Sequence, residues 1–176
     1  MTLEDLINVR EIEQLKYRYM RAVDTQDWAL MAECFTTDAD VWYGSGLYTF
    51  EGKEAILEFF RSTLTPSFVS SHVALHPEIT LGAAGTAKGV WRMQDIVHFA
   101  AANPHAKESD FQGGERLEGA GYYYDDYRKD AGEWRVRRSG YVRLFDVVNP
   151  GSDRPGEHFK ADPQRGMLAT QADESR

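Results

Sequence analysis

In GVWRMQDIVHF, residues 89–99, the odd-numbered side chains are Gly89, Trp91, Met93, Asp95, Val97 and Phe99. Alternate residues of an extended strand share a face. The stretch therefore specifies a strand with one face turned into a core, and Asp95 sits in the middle of that face. Burying a carboxylate is costly unless it is paired or hydrogen-bonded. The fold must supply Asp95 either with a structural partner, such as a tyrosine or a backbone amide, or with a functional cleft.

The rest of the chain says what surrounds this strand. TLEDLINVREIEQLKYRYMRAVDTQDW has Leu6, Val9, Ile12, Leu15, Tyr19 and Ala22 or Val23 at helical spacing, with Thr2 and Asp5 as a capping signal. A short second helix is expected in DWALMAECF. A third is expected in GKEAILEFFRSTL, with Ala55, Ile56, Phe59, Phe60 and Leu64 on its buried stripe and Pro66 closing it. DADVWYGSGLYTFEG reads as extended chain around a Gly-Ser-Gly turn. Strands are then expected at 68–81, 86–99, 115–129 and 133–147. The polar insert at 100–114 reads as a mobile flap, and 149–176 as a polar tail outside a single domain of residues 1–148. Helices first and long antiparallel strands after give an α+β domain. Its mostly antiparallel sheet must curve into a cone around the N-terminal helices, enclosing a hydrophobic pocket.

Composition narrows the partners. A net charge of −8 lacks the basic footprint that nucleic acid requires. The single cysteine, Cys34, excludes an internal disulfide and a zinc ribbon, and reads as a small half-buried core residue. No apolar run approaches the ~18 residues of a membrane span. MTLEDLINVR is an acidic helix start rather than a signal peptide, so a cytoplasmic protein is expected. Aromatic residues make up 12% of the chain, enough to line a pocket for a flat apolar ligand as well as to pack a sheet. Trp42, Tyr43, Trp91, Tyr123 and Tyr141 are the expected lining.

Several polar residues stand beside Asp95 as candidates. His72 and His76 in SSHVALHPEIT fall on one side of a strand, opposite Val73, Leu75 and Ile79. At i and i+4 they are ~13 Å apart in extended chain, too far for a shared metal. A pocket-facing His72 requires Val73 and Leu75 to pack outward. Tyr19 falls on the apolar stripe of the first helix, where a core tyrosine is the simpler reading, and Asp24 reads as a C-terminal or capping residue for the next helix. Arg143 lies in a strand whose other face holds Trp134, Val136, Val142 and Leu144, as a surface cation or an anion clamp. Phosphate-binding loops, nucleophile elbows and HExxH helices are absent from the sequence.

The strings LKYRYMRAVDTQDW, SSHVALHPEIT, GVWRMQD and GYYYDDYRKDAGEWRVRRSGYVRLF, in this order, resemble the SnoaL-like branch of the nuclear-transport-factor-2-like superfamily. Within it the likeness is to the bile-acid 7α-dehydratase type and, more distantly, to scytalone dehydratase. It extends over residues 3–148. The resemblance implies an α+β cone, a deep pocket, and neither metal nor cofactor. It implies catalytic roles for Tyr19, Asp24, His72, Asp95 and Arg143, with Asp95 orienting or charging His72. His76 departs from the dehydratase pattern, and the 100–114 insert is longer than the resemblance predicts.

The expected activity is that of a cofactor-independent lyase on a hydroxylated polycyclic or aromatic substrate, with His72 as base. The same machinery suits a C–C lyase releasing an aldehyde from a diol, an isomerase or a cyclase. A non-catalytic ligand-binding protein is the alternative outside enzymes. The outer sheet face, with Val90 and Ile96, is expected to join copies of the chain, a trimer being favoured over a dimer by the resemblance.

Overall fold

The computed structural model describes residues 1–99 and 113–149. Helix α1 (Leu3–Thr25) opens with a capping box in which Thr2 and Asp5 satisfy each other's backbone N–H groups. Burial begins at Ile12; Leu6, expected on the buried stripe, is exposed. Helix α2 (Trp28–Cys34) is capped by Asp27, whose carboxylate accepts from the Leu30 N–H. Helix α3 (Lys53–Thr63) buries Ile56, Leu57 and Phe60, while Ala55 is exposed. Cys34 is fully rather than half buried, and burial pushes its thiol up to about 12.

Strands β1 (Phe35–Tyr43), β2 (Tyr48–Glu51), β3 (Phe68–Leu81), β4 (Thr86–Phe99), β5 (Arg116–Asp130) and β6 (Glu133–Asn149) form one sheet in the order β2-β1-β6-β5-β4-β3. Every pairing is antiparallel except the parallel β1–β6 contact. The sheet is curved and unclosed, and the helices occupy its concave side: an α+β cone. The flap expected at 100–114 lies, apart from Gly113 and Gly114, outside the described residues, as does the tail beyond Asn149. Among the described residues no helix is long and apolar enough to cross a membrane.

Alternation holds without a break in β4, whose odd residues are all buried, as its sequence demands. It breaks in β3 and β6. In β3 the pairing jumps from Leu75↔Arg92 to Glu78↔Val90, one extra residue at the His76–Pro77 step, where His76 takes a φ of 48°. This bulge places His72 on the same inner face as Ile79, although simple parity separates them. In β6 the pairing jumps from Arg138↔Asp126 to Val136↔Tyr127, making Arg137 the extra residue. Tyr141 and Arg143 thereby join Trp134 and Val136 on the inner face, and Val142 and Leu144 turn outward. The expectation that Arg143 opposes Trp134 and Val136 across the strand is corrected by this one residue.

Candidate active site

A cavity of about 370 Å³ opens between the concave face, α1, α3 and the turn at Gly44–Gly46. Its walls are largely aromatic: Tyr43, Tyr48, Phe59, Phe60, Phe68, Phe99, Tyr123 and Tyr141 contribute rings. Polar groups gather on one wall. His72, Asp95, Gly119 and Asp146 lie opposite one another in register on β3, β4, β5 and β6. One cross-strand row therefore carries the site.

His72 stands at one end of the row. Its Nδ1 lies 2.7 Å from Oδ1 of Asp24, which also accepts from Ser70 Oγ at 2.7 Å. The other carboxylate oxygen of Asp24 accepts from the backbone N–H of His72 at 2.9 Å. A carboxylate only accepts, so Nδ1 carries the proton and the Nε2 lone pair is directed away from Asp24. Asp24 caps no helix; that task belongs to Asp27. Asp95 Oδ2 is 3.9 Å from His72 Nε2, beyond hydrogen-bond range. Asp24 is thus the carboxylate hydrogen-bonded to His72, and Asp95, which the resemblance implies orients or charges it, stands at ion-pair distance from Nε2 without a hydrogen bond.

Asp95 is bound instead to Arg143. Nη1 and Nη2 donate to its two carboxylate oxygens at 2.8 and 2.6 Å, a bidentate pair in which the Asp95 side chain is only 1% exposed. Burial would lower the Arg143 pKa, but hydrogen bonding and charge pairing with Asp95 outweigh it and hold the guanidinium firmly protonated. Nη1 also lies 2.9 Å from Oδ1 of Asp146. In a regular strand residues i and i+3 face opposite sides. Here a second irregularity in β6, between Arg143↔Gly121 and Phe145↔Ala120, leaves Leu144 as an extra residue and returns Asp146 to the inner face. Gly119 makes room for the cluster. A Cβ there would overlap Arg143 Nη1 and lie 2.6 Å from Asp146 Oδ1 and 3.0 Å from Asp95 Oδ1.

Across the cavity the hydroxyls of Tyr19 and Tyr43 share a 2.7 Å hydrogen bond. Burial pushes Tyr19 and Tyr43 far up, so both are neutral O–H groups at physiological pH. Tyr123 and Tyr141 meet edge to face at 5.7 Å. Trp42 and Trp91 are placed elsewhere. Trp42 adjoins Tyr43 in β1 and so faces the opposite side, stacked on Tyr124 over Gly140 on the convex face. Trp91 is on the inner face but fully buried where α1 covers the sheet, its Nε1 donating to Tyr127 Oη at 2.9 Å.

Beneath the cavity lies a polar group not anticipated from the sequence. Lys16 Nζ contacts Asp125 Oδ2 at 2.7 Å, with both side chains buried, and sits 3.7 Å from the centre of the Tyr123 ring. Tyr127 Oη and Ser139 Oγ donate to the same carboxylate. Burial lowers the Lys16 pKa, against the pull of Asp125. A signal exists in the helical spacing: Lys16 is four residues after Ile12 and three before Tyr19, on the buried stripe of α1.

The family model described as a SnoaL-like domain matches residues 4–140. Among solved structures, the chain is similar in fold to the hexachlorocyclohexane dehydrochlorinase LinA-type3 from Novosphingobium barchaimii, with a TM-score of 0.72 and 17% identity over 91% of this chain and 99% of that one. A scytalone dehydratase-like protein from Novosphingobium aromaticivorans gives a TM-score of 0.71 and 18% identity over 90% of this chain and all of the other. A Mycobacterium tuberculosis protein of unknown function gives 0.61 and 21% over 98% and 90%.

Proposed function

The chain belongs to the SnoaL-like domain family, and on that premise we propose that it is a cofactor-independent lyase of the dehydratase kind, acting on a hydroxylated polycyclic or aromatic substrate. One observation carries the reading: a histidine held by a carboxylate at Nδ1 presents its basic Nε2 beside an aromatic-walled cavity. Dehydrochlorinase and dehydratase names among structures of the same fold support an elimination.

His72 Nε2 takes a proton from the carbon beside a carbonyl or a phenol-conjugated system. The C–H electrons form the new double bond while the C–O bond breaks, and the departing hydroxide leaves as water by taking the proton that His72 removed, which returns His72 to its neutral form. Asp24 fixes the tautomer and stabilises the imidazolium that forms. The neutral Tyr19–Tyr43 pair is the hydrogen-bond donor for the developing oxyanion or leaving group, in a site dry enough for such bonds to count strongly. Arg143, held by Asp95, keeps N–H groups for a substrate carbonyl.

The reading extends to the assembly and its location. Val73, Leu75, Ile96, Tyr124, Val142 and Leu144 expose apolar side chains on the convex face. We take further copies of the chain to cover it, as a trimer, in the cytoplasm.

The test is a turnover screen of hydroxysteroids, hydroxylated polyketides and aromatic diols, read by mass spectrometry. Wild type should remove one water from a substrate, His72→Ala none, and Asp24→Asn should slow the reaction by ~10²–10⁴-fold through loss of general-base orientation. Undiminished turnover in His72→Ala would refute the mechanism. Release of an aldehyde with the same dependence on His72 would assign C–C cleavage instead.

A further inference from the structure

Resting on the reading of this cavity as the substrate site, we infer that Asp146 makes the site selective for uncharged substrates, by setting a second carboxylate against the arginine that would otherwise bind an anion. An arginine in an apolar pocket ordinarily suggests a clamp for carboxylate or phosphate, because its fork of N–H donors matches such groups. The geometry here points the other way. Both terminal nitrogens of Arg143 are already engaged by carboxylates, Nη2 by Asp95 and Nη1 by Asp95 and Asp146 together. Two negative groups against one positive leave the cluster net negative, and Asp24 stands behind His72 on the same wall.

The two carboxylates differ in what they do. Asp95 is buried and bidentate, the partner that makes a buried guanidinium tolerable. Asp146 is 38% exposed and adds a single contact that Arg143 does not need for burial. It reaches Arg143 only because Leu144 is an extra residue in β6. Its effect is on charge: without it the Arg143–Asp95 pair is neutral, with Nη1 open to a ligand oxygen. A carboxylate substrate would meet Asp146 and Asp95 within the cluster, against a single guanidinium charge that the two already share. Like charges brought together at an interface suppress the wrong partner. The chain's net charge of −8 works in the same direction during approach. Neutral alcohols, ketones and phenols remain as the substrate class, and free acids are rejected.

The experiment compares naphthoate with its isosteric primary amide, naphthamide, at neutral pH by titration calorimetry on the full chain. These probes need not turn over, so the result is independent of whether elimination is the reaction. Wild type should bind the amide at least about tenfold more tightly than the carboxylate. Asp146→Asn, which removes charge but keeps an oxygen for Arg143, should tighten naphthoate by about tenfold while shifting naphthamide less than about threefold, as expected for a change confined to charge. Asp146→Ala should do the same, and circular dichroism establishes that each variant is folded. Equal affinity for both probes in wild type, or naphthoate affinity unmoved in both folded variants, would overturn the inference. Binding of neither probe by any of the proteins would overturn it too, together with the assignment of the cavity.

Discussion

Gly119→Ala places one methyl group under the Arg143 guanidinium, and its cost can be worked from the contacts. The new Cβ would overlap Nη1, whereas carbon and its neighbours ordinarily sit ~3.5–4.0 Å apart. The backbone of β5 is fixed between two strands, so the arginine must retreat. Nη1 then loses Asp95 Oδ1 and Asp146 Oδ1, and Nη2 retains its 2.6 Å bond to Asp95. The Asp146 contact is half in water and contributes little. The Asp95 bond matters, because at 1% exposure no water replaces it; a hydrogen bond to a charged group is worth about 1.5–3 kcal/mol. Restricting the unfolded chain returns about 0.4–1 kcal/mol on a Gly→Ala change. A net loss of about 1–2 kcal/mol is expected, read by urea unfolding followed by circular dichroism. The same substitution in an Arg143→Met background should cost clearly less, because only the Asp146 and Asp95 carboxylates then stand close to the new Cβ, and the double-mutant cycle returns the arginine's share as coupling. Gly121→Ala is the internal control: its Cβ would overlap the Val142 carbonyl, a backbone atom, and should cost the same in both backgrounds. An equal cost for Gly119→Ala with and without Arg143 would refute the argument that Gly119 exists to seat the guanidinium.

Other measurements bear on the rest of the molecule. Lys16→Met leaves Asp125 charged and buried, and thermal or urea unfolding should show about 3–5 kcal/mol lost; Lys16→Met with Asp125→Leu should recover most of it. Burial holds Tyr19, Tyr123 and Tyr127 well above their usual pKa and Cys34 up at about 12. Each is neutral in the native state where the unfolded chain has already released its proton. Stability is therefore complete below about pH 9 and falls as pH rises beyond it, and the later phase of phenolate absorbance should coincide with loss of circular dichroism. Phenolate formation by all nine tyrosines before any unfolding would contradict the buried assignment. Ile96→Lys with Leu144→Lys on the convex face should convert the proposed trimer to monomers in sedimentation velocity while leaving the fold intact; an unchanged sedimentation coefficient would place any interface elsewhere.

The last four strands could be read from the sequence to within two residues, because long alternating runs separated by turns have few other uses, whereas β1 begins at Phe35, within the stretch read as the second helix. The inner face of β4 came directly from its alternation, including the burial of Asp95. What failed was parity in the neighbours. A proline inside a strand is a warning of a bulge, and Pro77 in β3 supplied it; the displaced residue at His76 is what reconciles an inward His72 with outward Val73 and Leu75. Nothing comparable marks Arg137 or Leu144, ordinary residues that are extra only through the register β6 keeps with β5. The pairing of Asp24 with His72 was equally hidden. It spans 48 positions and depends on how α1 crosses the sheet. Trp42 was misplaced for a simpler reason: neighbours in a strand cannot both face one cavity, and Tyr43 took the inner side.

The carboxylate at position 95 thus has a use different from the one its place in the strand suggested. A buried acid beside a histidine invites the thought of a dyad, yet the 3.9 Å gap to Nε2 leaves that nitrogen unclaimed while Asp24 holds the other. Had Asp95 bonded Nε2 in place of a substrate, the imidazole would have had no basic atom to offer. Its bidentate hold on Arg143 turns both its oxygens toward the guanidinium instead. Arg143 is therefore more than a surface cation: it restrains Asp95, and Gly119 gives it the room. The site depends on a missing side chain and two extra residues in β6 as much as on the groups that would act. These are the features that a regular strand pattern cannot display, and they decide which atoms meet in the cavity.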